Sequence, residues 1–191
     1  MTTTIRALLD KLQELDQELE ADLARHRREF HYTVREKRVR FEAAVEQHHR
    51  ELRKSWVRFI RDSELPALLV SPLIYMQIVP LVLLDIAVSL FHAIAFPVYG
   101  IDKVPRSDFI VVDRHHLQYL NGIERLNCAY CGYANGLLAW TREIAGRTEA
   151  YWCPIKHARR TAGQHRRYYD FAEYGDADGY RQVNRHKPSK K

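Results

Sequence analysis

"LPALLVSPLIYMQIVPLVLLDIAVSLFHAIAFPVYGI", residues 65–101, holds no lysine or arginine and one acid, Asp85. A helix that crosses a hydrocarbon core of about 30 Å needs about 20 apolar residues. This run is too long for one upright span and too short for two. Prolines at 66, 72, 80 and 97 divide it, and each removes a backbone donor and bends a helix. Two membrane arrangements fit. One is a single tilted span over residues 73–96, with Asp85 turned toward a protein partner. The other is a re-entrant helical hairpin bent at Pro80. An acid at mid-membrane costs about 2.5–3.5 kcal/mol unless it is paired or protonated, which makes Asp85 a candidate functional residue. The competing reading is a soluble helical core in which Gln77, Asp85 and His92 are satisfied polar groups. So long a stretch without a basic residue favours the membrane.

The flanks have different compositions. Residues 1–64 carry 14 Lys/Arg against 13 Asp/Glu, and residues 102–191 carry 16 against 10, so most of the net charge of +6 lies in the C-terminal part. Arg50, Arg53, Lys54, Arg58 and Arg61 precede the apolar run, and Lys103, Arg106 and Arg114 follow it. Basic residues on both sides favour placing both on the cytoplasmic face, and therefore favour the hairpin. The opening "MTTTIRALLDKLQELDQ" has no continuous apolar stretch and does not read as a cleaved signal peptide.

Before Pro66 there is neither glycine nor proline. Ile5, Leu8, Leu12, Leu15, Leu19 and Leu23 recur every three or four residues, and the pattern resumes at Phe41, Val45, His48, Leu52, Trp56 and Phe59. A stripe this narrow on a highly charged background predicts a long coiled-coil helix over 1–64 that joins a second copy or a partner protein. Lys37 and Arg38 fall where the stripe should continue and mark a hinge or a change of register.

Cysteine spacing decides the reading of the C-terminal part. "NCAYCGYANG" (127–136) carries Cys128 and Cys131, and "YWCPIKHARR" (151–160) carries Cys153 and His157. A C-x-x-C-G knuckle brings two sulfurs to one ion, with glycine relieving the crowded turn. Pro154 suits the first turn of a helix, which would put Cys153 and His157 on one face. Cys-x2-Cys-x21-Cys-x3-His then supplies four ligands for tetrahedral Zn(II), with iron the alternative. A closed site of this kind is structural. The rival is exchange chemistry at the Cys128/Cys131 thiols, or electron transfer through iron. "FIVVD" (109–113) reads as a short strand, Asp113 as the cap of a helix through Leu117, Leu120, Ile123 and Leu126, and His116 with Glu124 as a weaker candidate pair.

The basic cluster of residues 156–167 is interleaved with aromatics at Tyr168 and Tyr169. Nucleic acid would use such a patch. A membrane-tied chain uses it more simply against anionic head groups, so nucleic acid is the less favoured partner and lipid the favoured one. Low apolar content makes residues 173–191 read as a basic, disordered tail.

From "LIYMQIVPLVLLD" through "DRHHLQYLNGIERLNCAYCGYANG" to "YWCPIKHARR", about residues 73–160, the chain resembles a family of small bacterial membrane-associated proteins with no established activity. That resemblance implies a bacterial origin and, with the basic flanks, an inner-membrane location with both ends cytoplasmic. The expected architecture is mainly α. A coiled-coil helix (1–64) leads into a membrane-embedded segment (65–101), a metal-binding domain (102–172) and the tail (173–191). The expected role is that of a membrane-attached adaptor with no catalytic residue.

Overall fold

The computed structural model describes residues 3–30, 32–35, 38–41, 43–159 and 161–185. Lys37 and residues 186–191 of the tail lie outside the described residues. The chain is mainly helical and divides into two compact units, one of residues 82–110 and 136–191, the other of residues 2–81 and 111–135.

In the second of these units, helix α1 (Thr3–Glu29) carries the first leucine stripe. His26, Arg27 and Arg28 in its last turn oppose the negative end of the helix dipole. The helix stops at Glu29, so the single helix expected over 1–64 is not formed. Strands β1 (Tyr32–Arg35) and β2 (Arg38–Phe41) follow as an antiparallel hairpin. The reason is a change of period. Tyr32, Val34, Val39 and Phe41 alternate with Thr33, Arg35, Arg38 and Arg40, and β-branched and aromatic residues at period two favour a strand. The register pairs Tyr32 with Phe41 and Val34 with Val39. Two short helices, α2 (Ala43–Glu51) and α3 (Trp56–Asp62), complete the charged region.

The apolar run forms α4 (Leu65–Met76) and α5 (Ile78–Tyr99). Pro66 sits in the first turn of α4, where its missing donor has no cost. Pro72 deprives the Leu68 carbonyl of its helical partner, and the Ser71 hydroxyl donates to that carbonyl at 2.8 Å instead. Pro80 likewise leaves Met76 without an i+4 donor, and the helix is interrupted there for one residue. Gln77 keeps helical backbone angles (φ −65°, ψ −13°), and Leu81 N–H donates to its carbonyl at 3.2 Å. The chain therefore continues through Pro80 without reversing, and the hairpin bend expected there does not form. Leu65–Tyr99 is one 35-residue helical stretch, long and apolar enough to cross a membrane.

The reversal comes at Gly100. Its φ of +68° is a left-handed conformation that a side chain resists. Gly100 N–H donates to Pro97 O at 3.3 Å and Ile101 N–H to Phe96 O at 2.9 Å, which closes the end of α5 in a Schellman-type turn. Residues 101–121 are irregular apart from 3₁₀ turns at Arg106–Asp108 and Arg114–His116. The strand expected at 109–113 is absent because that backbone has no strand to pair with; it lies in notches on the next helix.

That helix, α6, runs unbroken from Gly122 to Trp152. Its start is set by Asn121, not Asp113. Asn121 Oδ1 accepts from Ile123 N–H at 2.9 Å and Glu124 N–H at 3.0 Å, and Glu124 Oε2 accepts from Asn121 N–H at 2.8 Å. This is a capping box. Gly132 meets the Val111 carbonyl in one unit, and Gly136 meets Phe109 and Ile110 in the other, each too closely for a Cβ. Helix α7 (Ala177–Arg185) is capped by Asp176, whose Oδ1 accepts from Gly179 N–H at 2.9 Å, so this part of the expected disordered tail is ordered.

The first unit holds most of the buried apolar side chains. Phe96 of α5, Val104 of the returning segment, Leu137, Trp140 and Ile144 of α6, and Tyr168 and Phe171 downstream are its core. Residues 153–172 are tied to α6 and to each other. Ala172 N–H donates to Pro154 O at 2.9 Å and Lys156 N–H to Ala172 O at 2.8 Å. His165 lies over Gly146 and bonds Glu149 at 2.9 Å.

Candidate membrane-contact site

α5 has two unlike faces within its own unit. Leu84, Asp85, Val88, Ser89, His92, Ala95, Phe96 and Tyr99 recur at helical spacing and are partly or fully covered. The opposite stripe is apolar and open: Leu83, Leu90 and Ile94 are 63, 60 and 59% exposed, and Ile86 and Val98 share their face. A helix on the surface of a water-soluble domain turns its apolar stripe inward. Here the polar side chains point in and the aliphatic ones point out.

The inward face is satisfied by residues that follow the helix. Arg106 grips both carboxylate oxygens of Asp85, and Ser89 Oγ donates to the same carboxylate at 3.1 Å. Bidentate guanidinium–carboxylate pairing is the strongest geometry open to two such groups. The Arg106 guanidinium also stands 5.3 Å from the centre of the Trp140 ring, within cation–π range. His92 Nε2 accepts from Val104 N–H at 2.9 Å, which places its ring proton on Nδ1. Trp140 Nε1–H donates to Val104 O at 3.1 Å, so one residue of the returning segment is held from both sides. Arg147 donates to Asp102 O at 2.7 Å nearer the end of α5. There Tyr99 stacks on Tyr151 at 5.0 Å and meets Trp152 edge-on at 5.4 Å, with Trp152 about half exposed.

Asp85 is thus a paired acid. Arg106 and Ser89 are its partners, with Trp140 beside the guanidinium, and sequence reasoning assigned none of the three. A signal existed: an acid in an apolar run requires a cation, and Lys103 and Arg106 are the first basic residues downstream.

The four expected metal ligands are placed differently from the expectation. Cys128 and Cys131 lie inside α6, not in a knuckle, because Gly132 serves close helix packing and not a turn. Cys153 follows the end of α6, its N–H bonded to Glu149 O at 2.9 Å. Pro154 keeps the preceding residue out of helical angles, so Cys153 and His157 are not a helical i, i+4 pair. Ile155 N–H instead donates to Cys153 O at 2.7 Å, a tight turn about Pro154, and Ile155 forms a parallel bridge with Ala172. His157 N–H donates to the Tyr168 hydroxyl at 2.6 Å, and its ring stacks on Tyr168. Among the described residues, no three His, Cys, Asp or Glu side chains group to hold an ion.

Glu124 is the reciprocal half of the α6 cap, and the His116 ring packs on that of His115 at 3.8 Å. The basic cluster is partly neutralised within its own unit. Lys156 bonds Glu173 at 2.6 Å, and Arg167 bonds Glu143 at 2.6 Å. Burial alone would raise the Glu143 carboxyl, but hydrogen bonds from Arg147 and Arg167, and then their charges, hold it below its ordinary value. Comparison with protein families, curated proteins and solved structures finds no match for this chain.

Proposed function

We propose that the protein is a membrane-attached adaptor, held to the bilayer by α5 and offering α1 to a second copy or another protein. The carrying observation is the inverted character of α5, with Asp85, Ser89 and His92 covered and an uninterrupted aliphatic face open. Apolar surface is driven out of water at roughly 25 cal/mol per Å², and lipid acyl chains remove it from water as well as a protein core does. The bacterial inner membrane is the location this reading takes. α1 supplies the second contact. Leu8, Leu12, Leu15 and Leu19 are each at least half exposed along a helix otherwise made of charged residues. Such a seam gains stability when a partner helix covers it.

Fractionation tests the attachment. The protein should stay with membranes through washes of high salt and alkaline carbonate, and leave with detergent. A chain that is monodisperse in buffer without detergent refutes it. For the adaptor part, Leu12→Glu and Leu19→Glu should abolish self-association or partner capture while leaving membrane attachment unchanged.

A further inference from the structure

We infer that α5 lies along the plane of one leaflet, its Leu83–Ile86–Leu90–Ile94–Val98 face sunk among acyl chains, and that it does not cross the bilayer. This deepens the membrane reading above and rests on it.

The returning segment carries the argument. From Gly100 the chain doubles back beside α5, level first with His92 through Val104 and then with Asp85 through Arg106. Seven residues separate His92 from Asp85, and fourteen separate Asp85 from Tyr99, so at about 1.5 Å per residue the segment tracks about 20 Å of the helix. It is irregular backbone, and Asp102, Lys103, Pro105, Ser107 and Asp108 along it are exposed. Irregular chain is not tolerated facing hydrocarbon, because lipid offers nothing to its peptide groups. If α5 stood upright, this strip and its charges would stand in the membrane interior with it. Laid flat, α5 keeps the strip on the water side along its whole length.

The sequence of α5 is apolar almost all round, whereas helices of this habit are amphipathic. The fold supplies the missing amphipathicity by covering Asp85, Ser89 and His92 with protein. Tyr99, Tyr151 and half-exposed Trp152 gather at one end, as aromatic rings do at the head-group level.

The experiment places a nitroxide label at Leu83→Cys, Leu90→Cys or Val98→Cys, in a chain whose three native cysteines are serine. The protein is reconstituted in vesicles of phosphatidylethanolamine and phosphatidylglycerol, and depth is read from collisions with oxygen and a nickel chelate. The expected result is one common depth, about 5–10 Å below the head groups. Labels whose depths follow a transmembrane axis, along which 83 and 98 stand about 22 Å apart, overturn the in-plane arrangement and leave attachment intact. Labels that meet no lipid at any position overturn both. A second measurement uses the native cysteines, with an epitope at each end of the chain, in inverted membrane vesicles. Protease should remove both epitopes; protection of one shows that the chain crosses.

Discussion

Replacing Arg106 removes the cation that Asp85 faces, and the consequence can be worked from the geometry. Breaking a fully buried ion pair from one side costs about 3–5 kcal/mol, because the remaining charge is stranded. The Asp85 side chain is 15% exposed and that of Arg106 is 42% exposed. Solvent therefore screens part of the loss, and about 1–3 kcal/mol is expected for the pair. Loss of the cation–π contact with Trp140 adds about 0.5–1 kcal/mol in the Arg106 variant alone. A double-mutant cycle of Asp85→Asn and Arg106→Gln isolates the first quantity. Unfolding in mild detergent, followed by tryptophan fluorescence, should give a coupling of about 1–3 kcal/mol. Additivity within about 0.5 kcal/mol would mean that the two groups do not act together, and that the returning segment is held by other contacts.

Three further outcomes are expected. Gly136→Ala should lower the melting temperature although alanine favours helix by about 1 kcal/mol, since the new Cβ would stand 2.6 Å from Phe109 O and 2.7 Å from Ile110 Cα. Gly122→Ala, with nothing within 4 Å, should not; equal effects would show that the notch is not tight. Glu143 titrates below its ordinary value of 4.5, so its ion pairs stabilise the fold above that value and the contribution is lost as pH falls through the lower folded one. Stability measured from neutral pH downward should show this acid loss in the native chain and less of it in Glu143→Gln. Exposed Cys131 and Cys153 should react with a maleimide faster than the partly covered Cys128. Equal rates at all three would show that Cys128 is not sheltered.

The helical class, the apolar run and the isolation of Asp85 in it were legible in the sequence because each follows from composition over a long window. Two local motifs take their backbone conformation from tertiary packing and not from their own spacing. C-x-x-C-G suggested a turn, yet Gly132 and Gly136 are helical residues kept small by the backbone lying against them. Pro154 suggested a helix start and instead ends one. Other elements follow from local pattern alone. Asn121-Gly-Ile-Glu124 is a capping box that fixes the start of α6, and the period-two alternation from Tyr32 to Phe41 announces the hairpin that ends α1. The partner of Asp85 could not be chosen from spacing. It depends on Gly100 reversing the chain so that Arg106 arrives beside an acid twenty-one residues earlier.

Synthesis proceeds from the N-terminus, and that order bears on α5. Its twenty-two residues leave the ribosome before the returning segment exists, and well before Trp140 and the rest of the covering helix are made. During that interval Asp85, Ser89 and His92 have no intramolecular shelter, and the helix presents a greasy cylinder marked by one naked carboxylate. The two-pronged grip of Arg106 on Asp85 can therefore form only after the chain beyond Gly100 has been made and has turned back.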